Sequence, residues 1–373
     1  MKIVADDKIP FLRGVFESCG VETVYKKGAE ICRNDLLDAD ALIVRTRTKC
    51  NAELLAGTSV KAVASATIGM DHMNIAELEK LGIAFFNAPG CNAMSVQQYV
   101  ICALLYLGEK HNISLAGKTL GIIGVGHVGS AVADAALKMG MKVLLNDPPR
   151  AAVEGNEKFT ELAELLEKSD FVTLHVPLDG TTKHLADEKF FKCMKSSAFF
   201  INSSRGEVCD NAVLKKVLQT RKIAGAVLDV WENEPYIDIE LQQLLKIGTM
   251  HIAGYSADGK ANGTTASVQN IAKVLGIKEL QSFTVASLPP GNTEALLVSG
   301  NNLQQILTEA AKKSYDISID SNALLANPQN FEKLRGDYYC RREFKGWTVN
   351  GKNLTSDAIK FLEKMNFKVI KEK

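Results

Sequence analysis

The alternation of short apolar runs with amphipathic segments constrains the fold of this chain more than any other feature of its sequence. In the N-terminal part the apolar runs are MKIVAD (1–6), ALIVR (41–45), VKAVASAT (60–67) and IAFFNAP (83–89). The segment NIAELEKLG (74–82), between the last two runs, has the spacing of an amphipathic helix. Because continuous apolar strands that alternate with helices are typical of a parallel sheet covered on both faces, we predict an α/β fold.

A second series of strands follows a long helical stretch that we predict over roughly 93–110. Its six members are KTLGIIGVG (118–126), MKVLLND (141–147), DFVTLHVP (170–177), SAFFINSS (197–204), AGAVLDVW (224–231) and GTMHIAG (248–254). Amphipathic segments, among them 161–170 and 211–220, lie between these strands. Six strands joined by crossovers are typical of a doubly wound nucleotide-binding domain.

The C-terminal part of the chain has a different pattern. It becomes helical from about residue 257, and SLPPGNTE (287–294) has the proline and glycine content of a linker. Beyond this linker, helices and a last strand, FKVIKEK (367–373), predict a separate small α+β domain over 290–373. A length of 373 residues is that of two or three domains.

The composition excludes several classes of partner. A formal net charge of +1, with 46% hydrophobic and 23% charged residues, is that of an ordinary globular protein and gives no reason to expect nucleic-acid binding. The apolar runs are too short to cross a bilayer, and the start MKIVADDKIP lacks the pattern of a secretory signal, so we expect no membrane association. The eight cysteines include no CxxC pair, which favours reduced thiols and a cytoplasmic protein. Cys91, in a loop, we expect to be structural.

A glycine-rich turn opens the second series of strands. GIIGVGHVGSAVA (121–133) places Gly124, Gly126 and Gly129 in G-x-G-x-x-G spacing between an apolar strand and an alanine-rich helix. Such glycines permit a tight turn, a close approach of pyrophosphate and close helix–strand packing, and the helix N-terminus offers free N–H groups to phosphate. We therefore predict that this turn, including His127 and Val128, binds a dinucleotide. The alternative is a glycine turn in a similar sheet that binds no nucleotide.

An acidic residue supports the dinucleotide interpretation. The next strand ends at Asp147, where a carboxylate accepts hydrogen bonds from the adenosine ribose and repels a 2′-phosphate. This combination predicts NAD rather than NADP. Arg150, three residues further on, is the one feature that would tolerate a 2′-phosphate.

Three polar residues follow three consecutive strands of this series. Arg205 lies in NSSRG, Glu234 in DVWENEP and His251 in MHIAGYS, and ligands of open α/β sheets bind beyond the carboxyl ends of the strands. A histidine suits removal of a hydroxyl proton, a neighbouring carboxylate orients it, and an arginine binds a substrate carboxylate. We predict that the three oxidise an alcohol next to a carboxylate. Taken singly, each has an ordinary alternative: a surface arginine, a solvated glutamate or a core histidine.

The remaining histidines are weaker candidates. His175 follows another strand and is equally well explained as part of a nicotinamide pocket or as a structural residue. We expect the backbone of His127 to matter more than its ring, and His72, His111 and His184 to be structural or exposed. Because no two histidines have metal-ligand spacing, we expect no metal.

These signatures resemble those of the D-isomer-specific 2-hydroxyacid dehydrogenases. The resemblance implies two doubly wound domains, a Rossmann NAD domain over 96–256 and a flavodoxin-like substrate domain formed by 1–95 and 257–285, with the active site in the cleft between them. It gives Arg205, Glu234 and His251 the roles argued above. It also implies further contacts, with substrate at Thr46, Thr67 and Tyr255, and with NAD at Val176, Asp229 and Gly254.

One subgroup of this family matches more of the chain. Its markers are VRTRTK (44–49), ATIGMDH (66–72), NAPGCNAMSV (87–96), NDPPRA (146–151), HIAGYSADGKANGTT (251–265) and FEKLRGDYYCRREF (331–344). The resemblance implies a phosphorylated four-carbon 2-hydroxy acid as substrate, a place in pyridoxal 5′-phosphate biosynthesis, and a homodimer formed through residues 290–373. Arg45, Arg47 and Lys49 form a basic cluster around Thr46. This cluster either binds the substrate phosphate or is a set of solvated charges at the edge of the domain.

Two alternatives remain open at this point. The first is another D-2-hydroxyacid dehydrogenase, specific for 3-phosphoglycerate or for hydroxypyruvate and glyoxylate. The second is a non-catalytic protein that senses NAD on the same scaffold. The C-terminal extension and the DPPR turn favour the phosphorylated four-carbon substrate over the first, and a sensor would not need the phosphate-side residues.

Overall fold

The computed structural model describes residues 1–286, 288–339 and 341–371. Ser287 of the predicted linker, Cys340 of the FEKLRGDYYCRREF stretch and the last two residues of the chain lie outside the described residues. Within the described ranges the chain divides into two compact units. The first consists of Met1–Asn92 and Ser256–Pro289, and the second of Ala93–Tyr255 and Pro290–Lys373.

The strands and α-helices are numbered here in chain order. The strands are β1 (Lys2–Asp6), β2 (Glu22–Lys26), β3 (Ala41–Val44), β4 (Ala62–Ser65), β5 (Ala84–Phe86), β6 (Thr119–Ile123), β7 (Lys142–Asn146), β8 (Phe171–Leu174), β9 (Phe199–Asn202), β10 (Gly225–Leu228), β11 (Ile247–Gly248), β12 (Leu296–Leu297), β13 (Thr348–Asn350) and β14 (Lys368–Ile370). The helices are α1 (Arg33–Leu36), α2 (Ala52–Leu55), α3 (Ile75–Lys80), α4 (Ala93–Lys110), α5 (His127–Lys138), α6 (Pro148–Glu154), α7 (Leu162–Lys168), α8 (Glu188–Cys193), α9 (Asn211–Gln219), α10 (Ile239–Leu244), α11 (Ala257–Leu275), α12 (Leu303–Ser314), α13 (Ile317–Ala326), α14 (Phe331–Gly336) and α15 (Ser356–Lys364).

The first unit is built on a parallel five-stranded sheet in the order β2-β1-β3-β4-β5. Alternate residues of each central strand enter different hydrophobic clusters. Ile43 packs with Val268 of α11 on one face, whereas Leu42 packs with Leu54 and Leu78 of α2 and α3 on the other. Because both faces are covered, the strands are apolar throughout, which explains the continuous runs in the sequence.

The second unit contains a parallel six-stranded sheet in the order β11-β10-β9-β8-β6-β7. The chain starts at β6, moves outward to β7 and then returns past β6 to β8, so the strand order reverses between β6 and β8. The carboxyl ends of strands at such a reversal form the binding crevice of open α/β sheets. The predicted α/β class with two doubly wound sheets is confirmed.

The C-terminal segment packs on the same core as the second sheet. Leu307 of α12 and Val349 of β13 belong to one cluster with Ile122 and Ile201, and Phe331 of α14 belongs to the cluster on the other face. The strands β12, β13 and β14 form a small parallel sheet of their own. The division into three domains with the boundaries given above stays a prediction.

Two strands differ from the sequence-based expectation. The strand β2, ETVYK, was not predicted, because it lies at the sheet edge and is polar and only partly buried. The predicted strand 248–254 is wrong beyond its first residue, since β11 ends at Gly248. Further along, the N–H groups of Ile252 and Ala253 are bound by the Asp229 side chain instead of a neighbouring strand. Among the described residues no helix combines the length and the hydropathy that a membrane crossing requires.

Candidate active site

Three strands of the second sheet end at the same level. Leu228 at the end of β10 pairs with Asn202 at the end of β9 and with Gly248 at the end of β11. Arg205, Glu234 and His251 therefore come from three adjacent loops at one edge of the sheet. The sequence-based placement of this trio beyond consecutive strand ends agrees with the geometry.

His251 and Glu234 are in direct contact. The Nδ1 atom of His251 lies 2.8 Å from Oε2 of Glu234, and Oε1 of Glu234 accepts the backbone N–H of Trp231 at 3.0 Å. A neutral imidazole that donates Nδ1–H to the carboxylate presents Nε2 as its acceptor, so this contact fixes the tautomer that can take up a proton. The side chains are 28% and 18% exposed, which leaves the ring accessible to a small molecule.

The charge of Glu234 is stabilised by its neighbours. Burial raises the pKa of this carboxyl, but the hydrogen bond and the charge of His251, the N–H of Trp231 and the charge of Arg335 outweigh it, so the pKa lies below its ordinary value. Glu234 is thus an ionised partner for His251 at neutral pH.

Asp229 holds the loop that carries His251. Its carboxylate accepts the backbone N–H groups of Ile252 and Ala253, both at 2.8 Å, and the hydroxyl of Thr249 at 2.6 Å. Asp229 is only 1% exposed. His251 itself has a φ of 58°, a left-handed conformation that is uncommon for residues other than glycine. The predicted NAD-binding residue Asp229 therefore has a structural task in this loop.

The loop of Arg205 lies directly against the loop of Glu234. The residue after the arginine is Gly206, where a Cβ atom would lie 2.0 Å from backbone atoms of Trp231. The Asn202 side chain donates to the Arg205 carbonyl at 2.9 Å, and Nη1 of Arg205 donates to the Ser204 carbonyl at 2.9 Å. Because Gly206 has no side chain, the loop that carries Arg205 can pack directly against the loop that carries Glu234.

The glycine turn between β6 and α5 is open on one side only. Gly124 has a φ of +86°, and a Cβ atom at Gly129 would lie 2.0 Å from the Gly124 carbonyl oxygen. At Gly126, by contrast, a Cβ atom would meet no atom of another described residue within 4 Å, its chain neighbours aside. Helix α5 starts immediately afterwards, at His127 and Val128, with Gly126 as its N-cap. This cradle, closed toward the sheet and open above a helix N-terminus, fits a pyrophosphate.

Asp147 and Arg150 lie beside this turn. The Asp147 carboxylate accepts the N–H groups of Val125 at 2.7 Å and Arg150 at 3.1 Å. Two N–H donors leave lone pairs on the carboxylate for ribose hydroxyls. The Arg150 guanidinium is bound by the Glu154 carboxylate at 2.6 and 2.8 Å and by the Val125 carbonyl. Its engagement by a carboxylate argues against a role in binding a 2′-phosphate.

The remaining residues predicted to contact NAD lie at neighbouring strand ends. Val176 is partly buried after β8, and Gly254 is partly buried in the loop after β11. His175, beside Val176, contacts Thr173 at 3.1 Å, and burial lowers the pKa of its imidazole to about 3. A ring that stays neutral at physiological pH is compatible both with a structural role and with lining a nicotinamide pocket, so both interpretations of His175 stand.

In the first unit, Thr46 and Thr67 follow β3 and β4, whose ends pair through Val44 and Ser65. The Thr67 hydroxyl lies 2.8 Å from that of Ser65. Arg45 does not belong to an open basic cluster, because its guanidinium is bound twice, at 3.1 Å each, by the fully buried carboxylate of Asp6. Thr46 is exposed.

Two arginines of the C-terminal segment, to which the sequence analysis assigned no role, lie near these loops. Arg335 lies in α14, with Nη1 4.0 Å from Oε2 of Glu234 and its guanidinium 5.8 Å from the centre of the Tyr255 ring. Arg341 is 2% exposed and donates to the carbonyls of Ile252, Ala253 and Tyr255. Both belong to the stretch FEKLRGDYYCRREF (331–344), but the sequence gives no sign of these contacts, because the residues contacted are distant in sequence.

Known proteins are similar to this chain over nearly its whole length. The model of the "D-isomer specific 2-hydroxyacid dehydrogenase, NAD binding domain" matches residues 106–257, and residues 287–364 match a domain of unknown function. An erythronate-4-phosphate dehydrogenase of Bacteroides fragilis is 45% identical over 347 residues, which are 92% of this chain and 97% of that protein. The chain belongs to the D-isomer-specific 2-hydroxyacid dehydrogenase family.

Further relatives agree with this membership. The erythronate-4-phosphate dehydrogenase of Escherichia coli K12 is 40% identical over 356 residues, 94% of each chain. A crystal structure of D-lactate dehydrogenase from Aquifex aeolicus, complexed with NAD and lactic acid, has a TM-score of 0.61 at 26% identity and covers 78% of this chain and 100% of that chain. As a member of this family the chain is an NAD-dependent dehydrogenase, and the predicted cofactor is confirmed.

Proposed function

We propose that this dehydrogenase oxidises 4-phospho-D-erythronate at C2 to 3-hydroxy-2-oxo-4-phosphooxybutanoate. The observation that carries the proposal is the 45% and 40% identity, over more than nine-tenths of the chain, to enzymes named erythronate-4-phosphate dehydrogenase. The contact between His251 and Glu234 supports it, because oxidation of a 2-hydroxy acid needs a base of this kind.

His251 is the acid–base residue in this proposal. In the oxidation direction its neutral Nε2 accepts the proton of the C2 hydroxyl, while the C2–O bond becomes a carbonyl and the C2 hydrogen departs as hydride. NAD, when bound, supplies the acceptor for that hydride. Glu234, ionised and hydrogen-bonded to Nδ1, stabilises the imidazolium that results.

Arg205 binds the substrate carboxylate in this proposal. A planar guanidinium matches a carboxylate in a two-point contact, which orients C2 toward His251 and polarises the forming carbonyl. Gly206 supports the assignment, because its contact with Trp231 fixes the Arg205 loop beside the loop that carries Glu234.

We assign further substrate contacts to Thr46, Thr67 and Tyr255. Thr46 is our candidate for the phosphate, since it is exposed and follows a strand end, whereas Arg45 is bound to Asp6. We assign NAD to the residues of the glycine turn and of the neighbouring strand ends: Gly124, Gly126, His127, Val128, Gly129, Asp147, Val176, Asp229 and Gly254.

The wider context belongs to the same proposal. We infer a cytoplasmic homodimer, formed through residues 290–373, that serves pyridoxal 5′-phosphate biosynthesis. We further infer three domains: a substrate domain of 1–95 and 257–285, an NAD domain of 96–256, and the C-terminal dimerisation domain. The domain of unknown function that matches residues 287–364 supports a distinct C-terminal module.

A substrate panel on one purified sample tests the assignment. We expect NADH formation with 4-phospho-D-erythronate at a kcat/KM well above that with 3-phospho-D-glycerate or D-glycerate. Higher activity with 3-phospho-D-glycerate, or with glyoxylate and NADH in the reverse direction, would reject the substrate and leave the family unchanged. His251→Ala should abolish turnover and spare NAD binding, which separates loss of chemistry from loss of cofactor.

A further inference from the structure

Helix α14 of the C-terminal segment brings a second arginine to the proposed catalytic pair. Arg335 is 19% exposed, and its Nη1 atom lies 4.0 Å from Oε2 of Glu234. Its guanidinium carbon lies 5.8 Å from the centre of the Tyr255 ring. The Arg335 guanidinium therefore lies next to Glu234, the partner of His251, and next to Tyr255.

The guanidinium of Arg335 has one donor that remains unused. Its neighbours are Glu234, Glu332 and Tyr255, and its contact with Glu234, at 4.0 Å, is at the outer limit of an ion pair. Within the described residues the buried Nε–H group of Arg335 has no hydrogen-bond partner. A largely buried cation with an unmet donor is costly in a folded protein, and an anionic ligand would offset that cost.

The frame around Arg335 is rigid. Phe331, which starts α14, is fully buried in the core beside the second sheet. Tyr338 donates to Asp320 at 2.9 Å, and Arg341 donates to the Tyr255 carbonyl at 3.0 Å. Binding groups held by such contacts lose little freedom when a ligand arrives, which favours a specific site over a solvated charge.

Arg335 and Arg205 reach the strand ends from different segments of the chain. Arg205 follows β9, whereas Arg335 comes from α14 and contacts Glu234 in the loop after β10. A substrate with a carboxylate at one end and a phosphate at the other needs two separated cationic groups. Arg205 supplies the first.

We propose that Arg335 binds the phosphate of the substrate and thereby selects phosphorylated 2-hydroxy acids. This inference rests on the proposed function, since it assigns one end of the proposed substrate. Arg335 is then a specificity-determining residue contributed by the C-terminal segment.

The decisive experiment compares Arg335→Met with wild type on two substrates, 4-phospho-D-erythronate and D-erythronate. We expect the ratio of kcat/KM for 4-phospho-D-erythronate to kcat/KM for D-erythronate to fall roughly 100-fold, as for loss of a buried charge partner. A smaller fall common to both substrates reflects the contact of Arg335 with Glu234. Arg335→Lys should retain part of the selectivity, because it keeps the charge but loses the planar fork. Lys333→Met, which removes an exposed charge from the same helix, is the matched control.

Two results would overturn the assignment. An equal fall for both substrates would mean that Arg335 acts on the His251–Glu234 pair rather than on the phosphate. An unchanged ratio with full activity would mean that it acts on neither. NAD affinity and the thermal unfolding midpoint are measured on each variant and identify one that has lost its fold. If Arg335→Met does not fold, the same comparison of the two substrates is made with Arg335→Lys.

Failure of the proposed substrate is distinguishable from failure of this inference. If wild type oxidises another 2-hydroxy acid but not 4-phospho-D-erythronate, inorganic phosphate becomes the probe, as an inhibitor competing with that acid. The inhibition constant for phosphate should rise at least 10-fold in Arg335→Met and stay unchanged in Lys333→Met. An unchanged constant in Arg335→Met would reject phosphate binding at Arg335 whatever the substrate is.

Discussion

Asp229 lies beneath His251 and fixes its backbone. The Asp229 carbonyl accepts the His251 N–H at 2.7 Å, and the Asp229 carboxylate accepts the next two N–H groups of the loop. The left-handed conformation of His251 is imposed by these contacts, and the ring is thereby directed at Glu234. His251, the proposed acid–base residue, is therefore positioned through its backbone by a buried aspartate.

Replacing this carboxylate should disturb both stability and turnover. In Asp229→Asn, one side-chain oxygen becomes an NH2 group that faces backbone N–H donors, so at least one buried donor loses its acceptor. We expect a loss of about 1–3 kcal/mol in the free energy of unfolding, measured by denaturant titration, and a fall in kcat. Asp134→Asn, at an exposed surface pair, should change stability by less than about 0.5 kcal/mol. Unchanged kcat in Asp229→Asn would contradict the positioning role.

Glu234→Gln should lower kcat by roughly 100-fold or more, the order of general acid–base catalysis. The variant also tests the pKa of Glu234, which lies below its ordinary value of 4.5 in the folded protein. A carboxyl with a depressed folded-state pKa contributes stability that is present above the unfolded pKa and is lost as pH falls through the folded one.

The stability difference between wild type and Glu234→Gln should therefore shrink as the pH is lowered from about 5 to about 3. Denaturant titrations of both proteins across this range measure it. A difference that grows with acidity would show that the folded-state pKa is raised instead, and that burial outweighs the contacts with His251 and Arg335.

Two glycines of the same turn should respond differently to alanine. Gly129→Ala places a methyl group 2.0 Å from the Gly124 carbonyl oxygen, so we expect a destabilisation of about 1–3 kcal/mol or more. In Gly126→Ala the new methyl meets nothing within 4 Å among the described residues beyond its chain neighbours, and the φ of −72° at Gly126 suits alanine. Here the unfolding midpoint should stay near that of wild type while the Kd for NAD rises at least about 10-fold, since the methyl fills the pyrophosphate approach. Equal NAD affinity in Gly126→Ala and wild type would show that the pyrophosphate does not come close to Gly126.

The elements that sequence could predict are those with a local cause. Apolar runs predicted the central strands because both faces of the sheet are buried. The glycine spacing predicted a tight turn, and in the structure Gly129 lies so close to the Gly124 carbonyl that no side chain fits between them. The edge strand β2 was missed because edge position removes the apolar signal. The end of β11 was misplaced because Asp229, a residue of another loop, binds the N–H groups of the segment.

The part of the site that sequence could not predict depends on long-range packing. Arg335 reaches Glu234 across about a hundred residues of sequence, and no periodicity connects α14 with the loop after β10. Arg45 shows the opposite case. It looked like part of a phosphate-binding cluster, but β1 pairs with β3 and places Asp6 where it neutralises the guanidinium.

Arg341 should be needed for the fold around His251. Its guanidinium donates to three carbonyls of the loop 252–255, to the Ser95 carbonyl and to the Gln98 side chain. Arg341→Met leaves these buried acceptors without a donor, and we expect a loss of roughly 3–5 kcal/mol in the free energy of unfolding together with reduced kcat. Lys333→Met, which changes the same charge at an exposed position of α14, should leave both near wild type. A stable Arg341→Met variant with normal kcat would show that other contacts hold the loop.

The preference for NAD over NADP should depend on Asp147 and on the bond between Arg150 and Glu154. Asp147→Ser removes the carboxylate that repels a 2′-phosphate, but Arg150 stays bound to Glu154 at 2.6 and 2.8 Å. We therefore expect this variant to reduce the NAD/NADP ratio of kcat/KM by about 10-fold, and the double variant with Glu154→Gln to reduce it by a further factor of about 10, because the guanidinium is then released toward the phosphate. Glu154→Gln alone is the control and should change the ratio little, since Asp147 still repels the phosphate. If the double variant is no better with NADP than Asp147→Ser, Arg150 does not reach the 2′-phosphate, and Asp147 alone sets the preference.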